Sequence, residues 1–457
     1  MTVRNLLLPL ATLLLLSACG SDNSSSPPPQ PPPATFDLQM LHASSDAPPV
    51  DVLFNGSAAL GDADYKTGSG RTTAQEGTYP IRVDASTPGG KTTVIPSTDV
   101  PFSGDRIYSI IAAGNAGDGT LEALVLDQAR TAVTAGTARA FIVHAASDPV
   151  ASSVDIFVTV PDADLTAEAP LNTDPLPFKG TIGPVEITAG DYQVRITRAG
   201  DPAAVVYDSG IVAFADGADL LVAAVNNTGL TGNTAGVSPV SLVVLDGSES
   251  AEIRDTATPA EVRVIHASPD TPSVDVIVNN TLTLVSDVPF PVVRPVLPLD
   301  AGTNNFKVQD SSNPGAILID EDLTMDAGSV YDFFAVNRLA AIEALVLADD
   351  YRRIATEAKL RFIHVSPSTT NVDIFLTDTN DISGATPLLA DIPFKQNSGF
   401  LGIEPGGYFV AATVTGTTTL IYGPVPVTLE AGNLYTIAVR DTSGGGLPTL
   451  VISFGDF

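Results

Sequence analysis

The sequence predicts an all-β protein with four tandem antiparallel β-sandwich domains of immunoglobulin or transthyretin type. Val, Ile and Thr recur in short blocks that Gly and Pro separate, which is typical of strands joined by tight turns. No long stretch repeats its apolar residues with the 3.6-residue period of a helix. The 457 residues exceed what one ordinary hydrophobic core supports, so several domains are expected. A small barrel is the alternative architecture for each domain.

One motif contains all four histidines of the chain, and successive histidines are 102, 122 and 98 residues apart. Repetition at this period indicates tandem whole domains and not a solenoid, and we number the repeats copy 1 to copy 4. Each histidine follows apolar residues, and the aspartate of a Val-Asp-apolar triplet comes 9, 11, 9 and 9 residues later. The histidine and aspartate of each copy are His42 and Asp51, His144 and Asp155, His266 and Asp275, and His364 and Asp373.

Further landmarks keep the four copies aligned. An aromatic residue follows the histidine by 23, 34, 24 and 30 residues, and a glycine follows that aromatic by twelve in every copy. These aromatic residues are Tyr65, Phe178, Phe290 and Phe394. A second glycine precedes a strand residue, which gives the pairs Gly104 and Tyr108, Gly217 and Leu221, Gly328 and Tyr331, and Gly432 and Tyr435. Constant spacings indicate packed strands, and variable spacings indicate surface loops.

The landmarks and the composition give the predicted organisation of the chain. Residues 1–18 form a lipoprotein signal peptide, and residues 19–35 form a lipidated cysteine with a disordered Ser- and Pro-rich tether. The four β-domains are predicted at 36–133, 137–250, 259–352 and 358–457. Prolines favour extended polyproline II at about 3.1 Å per residue, so the tether could reach roughly 50 Å.

The N-terminus predicts export and lipid anchoring. Arg4 precedes a short apolar stretch that is too short to span a membrane as a helix. The sequence Leu16-Ser17-Ala18-Cys19 resembles a lipobox, in which the cysteine thiol is diacylated before cleavage. Gly20 and not Asp follows the cysteine, which by resemblance to Gram-negative lipoproteins implies sorting to the outer membrane. The predicted partner is therefore a membrane, to which the acyl chains of Cys19 anchor the protein. The protein is expected on the periplasmic or the surface-exposed face of the outer membrane.

The formal net charge of −30 limits the partners of the chain. Such an acidic surface repels nucleic acid and anionic lipid headgroups, so we expect no nucleic acid partner. A solvated surface accounts for the acidity, with cation binding or a saline habitat as the alternatives. Cys19 is the only cysteine, so no disulfide forms within the chain.

Copy 3 carries the family resemblance most clearly. Residues His266 to Val276 read His-Ala-Ser-Pro-Asp-Thr-Pro-Ser-Val-Asp-Val and resemble the opening of the bacterial domain of unknown function 4397. The strand signals Ala189-Gly190-Asp191-Tyr192 and Ala431-Gly432-Asn433-Leu434-Tyr435 are similar to later parts of that domain. Copy 2 departs most, with Ala146 in place of Ser and two extra residues before Asp155. The resemblance implies exported or surface β-domains, often in lipoproteins, and carries over no catalytic residue.

The recurring histidine and aspartate predict a structural hydrogen bond between adjacent strands. Apolar residues before each histidine predict a buried imidazole, which needs a polar partner, and the Val-Asp carboxylate is the nearest candidate. All four His-to-Asp separations are odd, so a hairpin would keep the pairing despite the insertion in copy 2. Strands of different sheets would not be paired in this way, whatever the parity of the separation.

A metal site is the first alternative reading of the motif. One histidine per domain is few for zinc, which takes three or four N, S or O ligands. Loop aspartates could add oxygens, although copy 4 has Ser368-Thr369 at that place. These loop aspartates are Asp46, Asp148 and Asp270. Calcium could also bind at the acidic triplets Asp62-Ala63-Asp64 or Asp162-Ala163-Asp164, but neither triplet continues into an EF-hand pattern.

Catalysis is the second alternative. The chain has no Gly-x-Ser-x-Gly elbow, no His-Glu-x-x-His and no phosphate-binding glycine loop after a strand. A triad of Ser268, His266 and Asp275 can be written, but a serine two residues from the histidine on one strand does not obviously reach it. Copy 2 has Ala146 at the serine position.

The sequence therefore predicts a non-catalytic cell-envelope lipoprotein whose tandem β-sandwiches act as a spacer, adhesion or ligand-binding module. A glycan or protein ligand is the expected partner, and no cofactor, metal or catalytic residue is predicted. The alternatives are an exported hydrolase or glycan-active enzyme and a calcium- or zinc-binding surface protein.

Overall fold

The computed structural model describes residues 32–228, 237–443 and 449–454. The predicted signal peptide, Cys19 and most of the tether lie outside these residues. Within them the regular structure is β-strand, apart from the short 3-10 helices Pro149–Ala151, Leu165–Ala167 and Leu339–Ala341. No helix in these ranges is long and apolar enough to cross a membrane. The all-β prediction is confirmed.

Each copy contributes eight or nine strands. Copy 1 has β1 (Thr35–His42), β2 (Val50–Phe54), β3 (Ser57–Ala63), β4 (Thr72–Gln75), β5 (Gly77–Thr87), β6 (Gly90–Phe102), β7 (Arg106–Ala113) and β8 (Glu122–Ala129). Copy 2 has β9 (Thr137–His144), β10 (Ser153–Thr159), β11 (Leu176–Pro177), β12 (Thr181–Thr188), β13 (Gly190–Arg198), β14 (Asp201–Phe214), β15 (Asp219–Asn226), β16 (Val240–Leu245) and β17 (Ser250–Ile253). Copy 3 has β18 (Ala260–His266), β19 (Val274–Val278), β20 (Leu282–Val288), β21 (Leu297–Leu299), β22 (Gly302–Asp310), β23 (Ile317–Met325), β24 (Val330–Val336) and β25 (Glu343–Asp349). Copy 4 has β26 (Ala358–His364), β27 (Val372–Thr377), β28 (Leu389–Ile392), β29 (Leu401–Ile403), β30 (Gly406–Val414), β31 (Leu420–Leu429), β32 (Leu434–Arg440) and β33 (Thr449–Phe454).

The strands of each copy form two sheets that enclose a hydrophobic core. We call the sheet that contains the strand of the motif histidine the His sheet, and the sheet that contains the Val-Asp strand the Asp sheet. The His sheets have the orders β4-β1-β7-β8, β12-β9-β15-β16-β17, β21-β18-β24-β25 and β29-β26-β32-β33. The Asp sheets have the orders β3-β2-β5-β6, β11-β10-β13-β14, β20-β19-β22-β23 and β28-β27-β30-β31. The prediction of tandem β-sandwiches is confirmed.

The His sheet is not wholly antiparallel, which differs from the prediction. Its histidine strand runs parallel to the strand after the second glycine, in the pairs β1–β7, β9–β15, β18–β24 and β26–β32. Parallel neighbours need a long crossover connection. Here the chain builds the Asp sheet between the two parallel strands, so the Asp sheet itself forms the crossover.

The parallel register also corrects one sequence alignment. Tyr108 pairs with Leu38, the residue four before the histidine of copy 1. In copy 2 the residue at that place is Ala140, and it pairs with Leu220. Leu220, and not Leu221, is therefore the structural counterpart of Tyr108. The same register aligns Tyr331 of copy 3 and Tyr435 of copy 4 with them.

The histidine strand of each copy faces two cores, because both faces of its His sheet are covered. In β1, Phe36, Leu38 and Met40 point into the sandwich of copy 1. Leu41, one residue further, packs in a second cluster together with Val143 of copy 2. These four side chains of β1 are at most 2% exposed. The strand alternates apolar and polar residues as far as Met40, and the apolar Leu41 that breaks this alternation packs against copy 2.

The copies pack in pairs through the outer faces of their His sheets. The interface of copies 1 and 2 contains apolar residues of both, namely Leu41, Ala43, Tyr65, Ile111, Ala113, Phe141, Val143, Ala145, Leu221, Ala223, Val225, Val243 and Leu245. The interface of copies 3 and 4 contains Ile265, Ala267, Phe334, Val336, Ile363 and Val365. Each copy thus contributes the end of its histidine strand to an interface with its neighbour.

Candidate functional site

The motif histidine ends the first strand of each His sheet, where it is between 0% and 1% exposed. Its Nε2 atom contacts a main-chain carbonyl oxygen of the loop that leads to the Asp sheet. These contacts are His42 to Pro48 at 3.2 Å, His144 to Ala151 at 2.6 Å, His266 to Pro272 at 3.0 Å and His364 to Thr370 at 3.1 Å. A carbonyl oxygen can only accept, so Nε2 carries the proton and donates it.

The other ring nitrogen faces the serine of the motif in three copies. Nδ1 accepts from the main-chain N–H two residues later, at 3.4 Å from Ser44, 3.3 Å from Ser268 and 3.2 Å from Ser366. In copy 2, where Ala146 replaces the serine, Nδ1 of His144 is buried without a hydrogen-bond partner among the described residues. The imidazole therefore closes the loop by bonding main-chain groups.

The motif aspartates do not pair with the histidines, so the predicted His–Asp hydrogen bonds between His42 and Asp51, His144 and Asp155, His266 and Asp275, and His364 and Asp373 are wrong. The histidine and the aspartate lie in different sheets, which removes the basis of the parity argument. The carboxylates instead accept from main-chain N–H groups of the Asp sheet or its turns. These donors are Asp62 at 2.7 Å for Asp51, Gly200 at 2.7 Å for Asp155, Asp287 at 2.9 Å for Asp275, and Asp391 at 2.8 Å and Gly416 at 2.9 Å for Asp373.

Three of these aspartates hold a β-bulge in the edge strand of the Asp sheet. The N–H donors Asp62, Asp287 and Asp391 have φ of 46°, 47° and 57°, a conformation that non-glycine residues seldom adopt. The strand register shifts beside each of them. A carboxylate that accepts the N–H of the bulge offsets its strain, so the motif aspartate has a structural role within its own sheet.

The aromatic landmark packs against the histidine in every copy. Its ring meets the imidazole edge to face, with centroids 6.2, 6.4, 6.1 and 6.2 Å apart for Tyr65, Phe178, Phe290 and Phe394. Burial lowers the pKa of all four histidines, and that of His42 to about 4, with Arg352 contributing. At neutral pH the four imidazoles are therefore uncharged.

A lysine beside the aromatic ring was missed in the sequence. It follows the aromatic residue in copies 1, 2 and 4, lies over its ring, and bonds a glutamate of the paired copy. The bonds are Lys66 to Glu252 at 2.5 Å, Lys179 to Glu122 at 2.6 Å and Lys395 to Glu343 at 2.9 Å. Its recurrence at one place in a chain with only 22 Lys and Arg residues was the available signal.

Copy 3 has Pro291 in place of this lysine. Here Arg440 of copy 4 takes the position over the ring of Phe290, with its guanidinium carbon 5.1 Å from the ring centroid. A cation from the partner copy thus replaces the cation of the copy itself, and the contact between copies is kept.

The centre of the second interface contains a buried ionic cluster. Asp332 of copy 3 accepts from Arg263 of the same copy, at 2.6 Å to both Nε and Nη2, and from Arg361 of copy 4. All three side chains are at most 6% exposed. At the places of the two arginines, copies 1 and 2 have Gln39 and Phe141. The first interface has its own ionic cluster, in which Asp219 of copy 2 accepts from Arg139 of the same copy and from Arg71 of copy 1.

The segment between copies 3 and 4 joins the two pairs. Arg352 donates to the carbonyl oxygen of Ala47 at 2.7 Å and to the carboxylate of Asp64, both in copy 1. Its guanidinium carbon lies 5.8 Å from the ring centroid of Tyr65. Ala355 donates its N–H to the carbonyl oxygen of Asp46 at 2.8 Å. The histidine loop of copy 1 is thereby covered by a second contact.

The loop aspartates considered as metal ligands bond main-chain N–H groups instead. Asp46 accepts from Ala116 at 2.7 Å and from Gly117 at 2.9 Å, Asp148 from Val150 at 2.7 Å, and Asp270 from Leu339 at 2.8 Å. In the part of the chain that the structure describes, no group of three or more His, Cys, Asp or Glu side chains could hold a metal ion.

The triad considered for catalysis is not assembled either. Ser268 gives its main-chain N–H to His266, while its hydroxyl lies 2.5 Å from the hydroxyl of Thr271. Asp275 bonds the hydroxyl of Ser311 at 2.6 Å, within the Asp sheet. The imidazole therefore has neither the serine hydroxyl nor the carboxylate that nucleophilic catalysis requires.

Comparison with known proteins gives a family. The profile of the family described as Domain of unknown function (DUF4397) matches residues 36–157 and 260–375, more than half of the chain. No curated protein matches the chain. Among solved structures, the Bacillus anthracis TIE protein aligns with 10% identity over 89% of this chain and 68% of that chain, at a TM-score of 0.15. The two matched segments begin in β1 and β18, the histidine strands of copies 1 and 3, and the chain belongs to the DUF4397 family.

Proposed function

We propose that the chain is a non-catalytic lipoprotein of the cell envelope that presents four β-sandwiches as one rigid unit away from a membrane. This proposal rests on the contacts that the histidine loop of each copy makes with a neighbouring copy. In all four copies this end of the sandwich packs against another copy through a cation and an aromatic ring. A surface used in this way fixes the copies relative to one another, and beside His266 of copy 3 it leaves a cavity of about 40 Å³.

The attachment of the tether to copy 1 supports an anchoring role. The first strand begins at Thr35, the last residue of the predicted tether. Arg130 donates to the carbonyl oxygen of Thr35 at 2.7 Å and to the carboxylate of Asp37 at 3.1 Å. These bonds tie the start of β1 to the segment after β8, so the end of the tether is fixed to the sandwich and does not fray from it.

Acylation tests the anchoring part of the proposal. The chain is expressed in a Gram-negative host with an alkyne-labelled fatty acid, and the outer membrane is separated from the soluble fractions. We expect label and protein together in the outer membrane, and we expect Cys19→Ser to lose the label and leave that fraction. Asp22→Asn, three residues further along, is the matched control and keeps both. An unlabelled wild-type chain overturns the anchoring.

Distance measurements test the rigidity. Since Cys19 is the only cysteine, the chain with Cys19→Ser accepts spin labels at chosen places. Labels at Asp191→Cys in copy 2 and Thr428→Cys in copy 4, both exposed, report the arrangement of the two pairs. We expect one narrow distance distribution, which Arg352→Ala broadens. A broad distribution in the parent chain contradicts a rigid unit.

Turnover assays test the non-catalytic part. The same chain is assayed against ester, peptide and glycan substrates. We expect no turnover above that of the chain that carries His42→Gln, His144→Gln, His266→Gln and His364→Gln. Turnover that the four substitutions remove would favour the exported hydrolase or glycan-active enzyme.

A further inference from the structure

A tyrosine fills the same place in three of the four sandwiches. Tyr108, Tyr331 and Tyr435 stand at equivalent positions of β7, β24 and β32, and all three are at most 7% exposed. Each phenol oxygen accepts the main-chain N–H of the residue five positions earlier, at 2.9 Å from Ser103, 3.0 Å from Asp326 and 3.0 Å from Glu430. The ring and its hydroxyl thus close one end of the sandwich.

Copy 2 has no tyrosine at this place. Leu220 is the counterpart, and its neighbour across the parallel pair is Ala140, where copies 1 and 4 have Leu38 and Leu360. Both differences remove volume from the same end of the core. The N–H five positions before Leu220 is that of Ala215.

The missing volume appears as a cavity of about 290 Å³ between the two sheets of copy 2. Leu220, Val222 and Val244 line it from the His sheet, and Val212 and Phe214 line it from the Asp sheet. An apolar cavity of about 150 Å³ is enough to admit benzene. This cavity therefore has room for a substituted benzene ring.

The cavity opens to solvent at its rim. Ala213, Ala215 and Asp246 belong to its lining and are exposed. Ser209, a buried polar member of the lining, is already bonded, since it accepts from Val194 at 2.9 Å and donates to the carbonyl oxygen of Gly210 at 2.7 Å. A ligand thus has a way in and meets mostly apolar walls.

We propose that the cavity of copy 2 binds a small uncharged phenol, whose ring takes the place of the absent tyrosine and whose oxygen accepts the N–H of Ala215. The other three copies provide the argument, because they place a phenol there and bond its oxygen to the equivalent N–H. An anion is excluded by the apolar walls, by Asp246 at the rim and by the net charge of −30. This site is independent of the spacer role.

Calorimetry with 4-methylphenol tests the site. The probe is titrated into the chain from residue 19 onward that carries Cys19→Ser, which keeps all four sandwiches. We expect one binding site, and we expect Leu220→Tyr to weaken binding at least tenfold because the new side chain fills the cavity. Leu339→Tyr, at an exposed leucine of copy 3, is the matched control and binds as the parent does. Equal affinity of the parent and the Leu220→Tyr chain overturns the proposal, as does the absence of binding to the parent.

Two further measurements separate the phenol from any apolar guest and remove dependence on one variant. Toluene has the same ring and methyl group without the hydroxyl, and we expect it to bind about tenfold more weakly; equal binding overturns the bond to Ala215. Nuclear Overhauser contacts between 4-methylphenol and the methyl groups of Leu220, Val222 and Val244 are expected in the parent chain. Contacts only with methyl groups elsewhere overturn the location, even if Leu220→Tyr fails to fold.

Discussion

His266 Nε2 lies 3.0 Å from the carbonyl oxygen of Pro272, six residues further along the chain. The bond closes the loop between the His sheet and the Asp sheet of copy 3, and the other copies repeat it. Asp275, the partner expected from the sequence, bonds Asp287 and Ser311 within the Asp sheet. The conserved spacing of the motif within this chain thus reflects two separate structural bonds, one in each sheet.

The two bonds predict additive effects in a double-mutant cycle. His266→Ala removes the hydrogen bond to the carbonyl oxygen of Pro272 together with the buried imidazole, and should cost about 1–3 kcal/mol. Asp275→Asn weakens the hydrogen bond that this side chain accepts from the main-chain N–H of Asp287 in the β-bulge. The substitution should therefore destabilise β19 and β20. Because the side chains share no partner, the combined cost should equal the sum within about 0.5 kcal/mol. Native-state hydrogen exchange of the amides in β18 and β19 measures each free energy of opening. A coupling well above that limit would restore a direct His–Asp interaction.

The lowered pKa of His42 predicts a loss of stability in mild acid. Burial, with a contribution from Arg352, holds this pKa at about 4 in the folded chain against an ordinary value of 6.5. The unfolded chain therefore binds more protons between pH 6.5 and 4, so stability falls as the pH drops through this window. The full shift corresponds to about 3 kcal/mol.

Substitution of His42 checks this linkage. His42→Gln keeps an N–H donor for the carbonyl oxygen of Pro48 and removes the titrating group. Free energies of opening of the amides in β1, measured from pH 7 to pH 4, should therefore depend less on pH in the variant. The lowered pKa of Asp219 puts its titration below this window, whereas burial raises the pKa of Glu357 from 4.5 in both chains alike. The difference between the two slopes therefore reports His42. The same slope in both chains would contradict the prediction.

The sequence predicted the burial of His266 but not its partner. The apolar residues Val264 and Ile265 before it indicated a buried strand end, and the structure has one. A main-chain carbonyl leaves no mark in the sequence, whereas an aspartate does, so the pairing inferred from side chains alone favoured Asp275. The parity of the spacing was informative only for strands of one sheet, and these strands lie in two.

The packing of the copies in pairs could not be predicted from the sequence. Met40 and Leu41 are adjacent and both apolar, which indicates that both faces of β1 are covered. One face is covered within copy 1 and the other by copy 2. Both covered faces of β1 are apolar, so hydrophobicity alone does not indicate which face packs against another copy. The lysine after the aromatic residue was the distinguishing feature, because it needs an acidic partner outside its own loop.

Asp332 predicts how firmly copies 3 and 4 are joined. Its carboxylate lies between Arg263 and Arg361, one from each copy. Asp332→Asn removes the negative charge that lies between two buried guanidinium groups, which should cost about 3–5 kcal/mol. Thermal unfolding followed by circular dichroism should show an earlier transition. Asp320→Asn, at an aspartate half exposed on the same copy, is the control and should change little. Equal melting of the two variants would mean that the buried ionic cluster does not stabilise the pair.

Tyr435 predicts that the cavity of copy 2 can be reproduced in copy 4. Tyr435→Phe removes only the hydroxyl that accepts the N–H of Glu430 and should cost about 1 kcal/mol. Tyr435→Leu also removes ring volume from a core that, unlike copy 2, has Leu360 beside it, and should cost about 2–4 kcal/mol. Hydrogen exchange of the amides in β26 and β32 measures both losses within copy 4. If the cost depends on filling this place, 4-methylphenol should partly restore the stability of Tyr435→Leu and leave Tyr435→Phe unchanged. Equal stabilisation of both variants would show that the tyrosine ring does not occupy a separable site.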